Sequence, residues 1–383
     1  MIYGWPARKI KVVFVTGTKG KTSVCEMVNA VLEAGGQRTA LASTLRLKVG
    51  EVSEPNKFKM TIRGRFFVQR FLRRAVAAKC DWAIIEMTSE GAKQYRHEFI
   101  SPTAFIFTNL APEHLESHGS YEKYVAAKLS IAESLRDVMI INGDDKEASK
   151  FLALPAKRKF TYRLKDAEPY TATDHGLEFT WRGSTMRSPL AGEFNLSNWL
   201  AALTFGESQN IAVEKMKEAV AKLDLIKGRV EKIKANGFDV IVDYAHTPDS
   251  LRAVYQTFAA RGKVCVLGNT GGGRDKWKRP LMGQIAAEHC RQIILTDEDP
   301  YDEDPKTILD EMIVGIKTDN YKIILDRRVA IRTAMQEAKP GEVVIITGKG
   351  TDPYIMGPKG QKTPWSDAEV VREELNHARI TGS

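Results

Sequence analysis

The chain has 383 residues, 43% hydrophobic and 27% charged, which fits about two globular domains with real cores and excludes a disordered chain. No stretch approaches the roughly 20 apolar residues that span a bilayer, and Met1-Ile2-Tyr3-Gly4-Trp5-Pro6 lacks the apolar core of a secretory signal, so a cytoplasmic protein is expected. The net charge of +9 is carried by scattered cations, with Lys157-Arg158-Lys159 only a short run and no nucleic-acid motif, so anionic small substrates are expected rather than nucleic acid.

Residues 11–16 form a β-branched, apolar run that predicts a strand ending in a glycine turn. Residues 21–32 then take helical spacing. Between them lies Gly17-Thr18-Lys19-Gly20-Lys21-Thr22-Ser23. Glycines let the backbone curl so that its N–H groups face phosphate, and the helix start adds positive potential. Lys21 suits the β/γ-phosphates, and Thr22 or Ser23 suits Mg²⁺. The loop is shorter than the standard GxxxxGK[ST], because Val15 stands where the first glycine would fall.

Further strands are predicted at 82–85, 104–107 and 138–141, with helices at 66–78 and 121–134 between them. This alternation predicts a largely parallel sheet covered by helices. Residues 158–190 alternate polar and apolar and predict a small antiparallel insertion. Helices return at 195–205 and 213–222. A second α/β series begins near Gly228, with strands at 239–242, 264–267, 292–296, 322–325 and 343–347. Helices are expected there at 247–259, 280–289, 305–316, 327–337 and 366–377. The fold class is therefore α/β: a P-loop ATPase domain with a parallel sheet over 1–226, then a Rossmann-like domain over 227–383. Cys25, Cys80, Cys265 and Cys290 form no CxxC pair and read as buried apolar residues of a reducing compartment, without disulfide or metal.

The loop resembles the G-T-N-G-K-T signature of Mur ligases and folylpolyglutamate synthetases, with Lys19 in place of asparagine. Downstream matches follow in the family's order and cover nearly the whole chain. Glu86-Met87-Thr88-Ser89 resembles E-x-S-S. Thr108-Asn109-Leu110-Ala111-Pro112-Glu113-His114-Leu115 resembles T-N-L-x-x-D-H-L, and His118-Gly119 and Ala126-Ala127-Lys128 follow it. Gly192 to Asn198 resembles G-x-F-N-x-x-N, and Gly228-Arg229-Val230-Glu231 resembles G-R-x-E. Asp243-Tyr244-Ala245-His246-Thr247-Pro248, Arg274 to Pro280, and Gly348-Lys349-Gly350 are close to the branch that adds the third residue of the peptidoglycan stem.

The resemblance implies a two-step reaction. A carboxylate takes the γ-phosphoryl of ATP and becomes an acyl phosphate, and an amino-acid amine then displaces phosphate. It implies two Mg²⁺ ions held by Thr22, Glu86, His114 and Lys128. Lys128 is carbamylated by CO₂ in the family, which turns a cation into an anionic oxygen ligand. Lys21, Lys128, His114 and Arg229 would be catalytic. ATP would be held by the loop residues with Asn109, Asn198 near adenine, Asp243 near ribose, and Arg229 at the terminal phosphates; domain closure would exclude water. Thr61, Ser89, Gln94 and Arg96 are the candidates for the carboxylate substrate, a UDP-sugar peptide or similar. Arg279, Glu298, Asp299, Tyr301 and Asp352 are those for the incoming amino acid, and the enzyme is expected to act as a monomer.

Three departures stand out. The family's synthetase carries a UDP-holding domain ahead of its phosphate loop, whereas here the loop begins at residue 17. That domain is expected to be missing, with the nucleotide held differently, another acceptor in use, or the chain shortened. The segment usually reading T-T-P is Thr61-Ile62-Arg63, and Glu90 stands where histidine often follows the serines. The D-N-P-R motif that reads meso-diaminopimelate is Glu298-Asp299-Pro300-Tyr301. Tyrosine cannot replace an arginine fork, so diaminopimelate is disfavoured, and the acidic run at 297–304 suggests a cationic side chain such as lysine. The rivals are a folylpolyglutamate or poly-amino-acid ligase, a non-catalytic ATP-binding subunit, and a P-loop kinase. The 243–248 and 274–280 motifs favour the Mur branch over folate.

Overall fold

The computed structural model describes residues 3–58, 60–113 and 115–381. It divides into two compact units, Met1–Asp224 and Leu225–Ser383.

The first unit is built on an eight-stranded sheet. Its strands are β1 (Lys11–Thr16), β2 (Thr39–Ala42), β3 (Arg46–Val49), β4 (Val52–Pro55), β5 (Trp82–Glu86), β6 (Ala104–Phe107), β7 (Val138–Asn142) and β8 (Arg158–Tyr162), in the order β4-β3-β2-β5-β1-β6-β7-β8. β2, β5, β1, β6, β7 and β8 run parallel, and β3 and β4 turn back antiparallel at one edge. β1 is buried along nearly its whole length because both faces of the sheet are covered. Val12 and Phe14 join a core with Val68 and Leu72 of the helix Arg65–Ala77. On the other side the helices Lys21–Ala34 and Glu193–Ser208 pack together.

The predicted insertion needs its boundary moved. Residues 158–162 are not part of it, because Val138↔Arg158 to Asn142↔Tyr162 is a parallel register that makes β8 the main sheet's edge. The antiparallel piece is β9 (Tyr170–Thr173), β10 (Gly176–Trp181) and β11 (Ser184–Ser188). The helix expected over 121–134 is Tyr121–Ser130.

The second unit carries β12 (Glu231–Lys234), β13 (Asp239–Val242), β14 (Lys263–Leu267), β15 (Gln292–Leu295), β16 (Tyr321–Ile323) and β17 (Val343–Ile346), in the order β12-β13-β17-β14-β15-β16. β13 to β17 are mutually parallel, and β12 is an antiparallel edge that periodicity did not predict. The hairpin β18 (Tyr354–Met356) and β19 (Lys362–Pro364) follows. Cys265 and Cys290 form a disulfide, contrary to the reading of four unbridged cysteines. Cys265 lies in β14 and Cys290 leads into the neighbouring β15, which brings their Cα atoms to 6.1 Å, a bridgeable separation that wide sequence spacing concealed. Cys25 and Cys80 are free and buried. Among the described residues, no helix is long and apolar enough to cross a membrane.

Candidate active site

The phosphate loop leaves the carboxyl end of β1, which lies between β5 and β6. Parallel neighbours deliver their own ends to the same edge: Glu86 closes β5, and Thr108-Asn109 follows β6. Gly17 (φ 152°) and Gly20 (φ 79°) are required here. A Cβ on Gly17 would strike the Thr108 hydroxyl, and one on Gly20 would strike the Asn198 side chain.

The loop is pinned from the β6 side. Thr18 N–H donates to the Asn109 carbonyl (2.8 Å), and Lys19 N–H donates to Asn109 Oδ1 (2.8 Å). Lys19 Nζ pairs with Glu113 (2.9 Å), so the lysine that replaces the family's asparagine is itself held. Lys21 Nζ donates to the Thr18 carbonyl (2.8 Å) and so folds over the loop it serves. Thr22 and Ser23 begin the helix and are buried.

The Thr22 hydroxyl donates to Glu86 Oε2 at 3.0 Å. Glu86 is buried and also accepts from Thr44, through its N–H (2.7 Å) and its hydroxyl (3.1 Å). Thr44 Oγ1 in turn lies 2.8 Å from Thr61 Oγ1, so the acceptor-side candidate Thr61 is one residue removed from the carboxylate. Lys128 is fully buried and donates from Nζ to the Gly17 carbonyl at 2.7 Å. Burial first, then the Lys21 charge, pushes its pKa well below the ordinary lysine range, against the pull of Glu113. Tyr124, one turn earlier, places its ring 4.9 Å from Nζ and its hydroxyl 2.8 Å from Thr18 Oγ1. His114, expected as a metal ligand, lies outside the described residues. Among the described residues there is no cluster of three or more His, Cys, Asp or Glu side chains placed to hold a metal.

The other acceptor candidates gather on the segment after Glu86. Ser89 is buried at the start of a short helix that Thr88 caps. Arg96 is buried; its Nη2 donates to Gln94 Oε1 (2.5 Å), and its Nη1 donates to the Ile62 carbonyl. Burial lowers its pKa, and its Nε has no partner. Asn198 is buried and donates to Asn195 (3.2 Å) while closing on Gly20.

In the second unit β17, β14 and β15 lie side by side, so the loops after them converge. Asp299 Oδ1 accepts from Lys349 Nζ and from Met356 N–H, each at 2.8 Å, and Lys349 also approaches Asp352 at 3.7 Å. Glu298 is buried, accepts from the Thr270 hydroxyl (2.8 Å), and keeps Oε2 unpartnered. Burial and then the Asp299 charge raise its pKa. Tyr301 takes a left-handed backbone (φ 53°), fixed by its N–H to the Met356 carbonyl (3.0 Å). Arg279 is enclosed by Glu303 (2.7 and 3.0 Å) and Glu311 (2.7 Å), which serves the fold's own charge balance. Asp243 accepts from Val230 and Ala245 N–H groups at 2.7 Å, organising the turn that follows β13. Arg229 lies over the Tyr244 ring at 4.5 Å.

Sequence reasoning missed Thr44, Tyr124 and Lys349 as members of these clusters. Tyr124 had a usable signal, since it stands four residues before Lys128 on one helix face. Thr44 had none, because its role depends on β2 lying beside β5.

A family model for the Mur ligase middle domain matches residues 15–206, and one for the Mur ligase glutamate ligase domain matches 228–350. The chain is 35% identical to a UDP-N-acetylmuramoyl-L-alanyl-D-glutamate–2,6-diaminopimelate ligase of Syntrophomonas wolfei, over 97% of this chain and 80% of the relative. It is also 35% identical to a UDP-N-acetylmuramyl-tripeptide synthetase of Roseiflexus, with the same coverage. The structure matches a Mycobacterium tuberculosis folylpolyglutamate synthase at TM-score 0.72 and 19% identity, over 91% of this chain and 90% of that one, a likeness of fold. With both domain models matched in order, and about a third of its residues shared with these relatives across nearly its whole length, the chain belongs to the Mur ligase family.

Proposed function

We propose that this chain is an ATP-dependent amide ligase that adds an amino acid to a UDP-N-acetylmuramoyl-peptide carboxylate in cytoplasmic peptidoglycan precursor synthesis. The observation that carries this reading is the convergence of Lys21, Thr22, Glu86 and Lys128 on one glycine loop at the carboxyl edge of a parallel sheet. The names of the Syntrophomonas and Roseiflexus relatives state the same type of reaction.

In the proposed mechanism the loop amides and Lys21 hold the triphosphate. The acceptor carboxylate, oriented by Arg96, Ser89, Gln94 and Thr61, attacks the γ-phosphorus; a P–O bond forms as the bond to ADP breaks. The amino-acid amine then attacks the acyl carbon, phosphate departs, and the amine gives up its proton. Arg229, Asp243, Asn109 and Asn198 are the proposed further nucleotide contacts, and Glu298, Asp299, Tyr301 and Asp352 the proposed amino-acid contacts. Residues 1–226 would serve as the ATP-binding domain and 227–383 as the amino-acid domain.

The donor set fits Mg²⁺, which commonly takes one or two carboxylates with substrate phosphates and water. Thr22 and Glu86 would hold it, and it would neutralise phosphate charge. Lys128 fits a CO₂-derived carbamate, because a buried amine with a depressed pKa keeps the uncharged form that adds CO₂; the modified side chain would offer an anionic oxygen. The test is ADP release with UDP-N-acetylmuramoyl-dipeptide and a panel of amino acids, with the product identified by mass. Release that ignores both the acceptor and the amino acid would refute the ligase reading.

A further inference from the structure

At the carboxyl edge of the second sheet β14 lies between β15 and β17, so the sheet joins the ends of those two strands only through it. One side chain joins them directly. Arg327 Nη1 donates to the carbonyl of Asp297 (3.1 Å), just past β15, and Nη2 donates to the carbonyl of Thr347 (2.8 Å), just past β17. Nε and Nη2 also donate to the Asp367 carboxylate, at 2.8 Å each, where the helix Asp367–Thr381 begins. All three guanidinium nitrogens are used, and Trp365 Nε1 donates to Asp367 as well (2.8 Å).

Stability alone does not explain this arginine. It is 3% exposed, so its charge has been taken out of water. It is the first residue of the helix Arg327–Glu337, where the helix dipole disfavours a cation. Buried ion pairs are often replaced by apolar side chains without loss of stability. Apolar side chains cannot donate to two strand ends at once, which the rigid fork of a guanidinium does.

The carbonyls it holds belong to the residues just before the proposed amino-acid contacts. Asp297 precedes Glu298 and Asp299, and Thr347 precedes Gly348 and Lys349. The two loops face each other: Lys349 Nζ pairs with Asp299 at 2.8 Å, and a Cβ on Gly348 would strike Glu298 Oε2. That buried oxygen has no hydrogen-bond partner. An orphaned buried acceptor is costly, and a ligand donor would complete it. Burial and Asp299 raise the Glu298 pKa, and Arg327 is the first of the charges that oppose the rise.

We propose that Arg327 is a positioning residue of the amino-acid subsite: it clamps the ends of β15 and β17 and so sets the gap in which Glu298 offers its unpartnered oxygen to a cationic group of the incoming amino acid. This rests on the ligase reading above, which supplies the amino acid. Arg327 acts through the backbone of the two loops and not by touching the substrate.

The test is ADP release with UDP-N-acetylmuramoyl-dipeptide and the panel amino acid that stimulates the parent protein most. Arg327→Lys keeps the charge and loses the fork. Arg327→Met with Asp367→Asn removes the buried ion pair and leaves Trp365 an acceptor. Both should raise the KM for the amino acid by about tenfold or more, the scale of a contact displaced by a fraction of an ångström, with the KM for ATP unchanged. A residue that only held the fold would lower the active fraction, and so kcat, with both KM values unchanged; that result overturns the proposal. Hydrogen exchange on the same variants, without substrates, should quicken over residues 296–304 and 347–352 and stay at parent values in β13 and β14. Exchange that quickens throughout the second unit, or failure of both variants to fold, also overturns it. A parent protein whose ADP release ignores every amino acid sinks the ligase reading, while the exchange measurement still decides whether Arg327 clamps the two loops.

Discussion

Lys128 Nζ donates to the carbonyl oxygen of Gly17 at 2.7 Å, so the buried lysine is fastened to the first residue of the phosphate loop. An amine enclosed there, with Lys21 and Lys19 adding positive potential, is held toward its neutral form. Lys128→Met keeps the volume and removes the group. ADP release should fall by a factor of about 100 or more, the scale of losing a positioned electrostatic group. Stability should hold or rise, because a buried ionisable group is often replaced by an apolar one without cost. Chemical denaturation and turnover measured on one preparation check both halves. A variant that unfolds easily yet retains activity would contradict this account of the residue.

Thr44 tests the link from Thr61 to Glu86, the carboxylate proposed to hold Mg²⁺. It gives Glu86 two hydrogen bonds, from its N–H and its hydroxyl, and its hydroxyl oxygen accepts from the Thr61 hydroxyl. Thr44→Val leaves the backbone donor but removes the hydroxyl, so Glu86 loses one anchor and Thr61 its partner. We expect kcat to drop about tenfold, the effect of one lost charge-assisted hydrogen bond, and the Mg²⁺ concentration for half-maximal rate to rise. An unchanged Mg²⁺ requirement would detach Thr44 from the metal side of the site.

The sequence made the phosphate loop and most strands readable because they are local: a six-residue run with five buried positions, most of them β-branched, a glycine turn and a helical period. β3, β4 and β12 escaped because short peripheral strands such as Arg46–Val49 and Glu231–Lys234 are half exposed and mix charged with apolar residues, and β2 escaped because Thr39–Ala42 is only four residues of small and apolar side chains, too short to show a period. The Cys265–Cys290 bridge escaped for a different reason. Its partners are 25 residues apart, and only the pairing of β14 with β15 brings them together.

The acidic run after β15 is largely spent inside the protein. Asp299 holds Lys349, Asp302 accepts the Lys359 N–H (2.6 Å), Glu303 holds Arg279, and Asp304 caps the helix Pro305–Ile313. The unpartnered oxygen of Glu298 is the acceptor left for a ligand cation in that run among the atoms buried without a partner. ADP release should therefore respond to L-lysine and not to meso-diaminopimelate, and Tyr301→Arg should bring diaminopimelate up by about tenfold, the scale of a restored arginine–carboxylate pair. The turn tolerates the exchange, because Tyr301 is fixed through its backbone N–H. Equal stimulation of the parent enzyme by both amino acids would remove Tyr301 as a selector.

Glu303 carries the clearest pH signature in the second unit. Hydrogen bonds from Arg279, then from Lys276, outweigh partial desolvation and pull its pKa from 4.5 to about 2. A carboxylate with a depressed folded pKa stabilises the fold fully above its unfolded value, and that contribution drains away as pH falls from about 4.5 toward 2. The shift is worth about 3 kcal/mol as an order of magnitude, at a side chain only 16% exposed. Glu303→Gln should therefore lower unfolding free energy by about that amount at pH 7 and approach the parent protein as pH falls toward 2. Glu311→Gln, whose partner Arg279 keeps Glu303 and whose side chain is 37% exposed, should cost about 1 kcal/mol or less. Denaturant melts of both variants at pH 7, 4.5 and 3 separate the two. A constant gap between Glu303→Gln and the parent protein across that range would mean that Arg279 does not set the titration of Glu303.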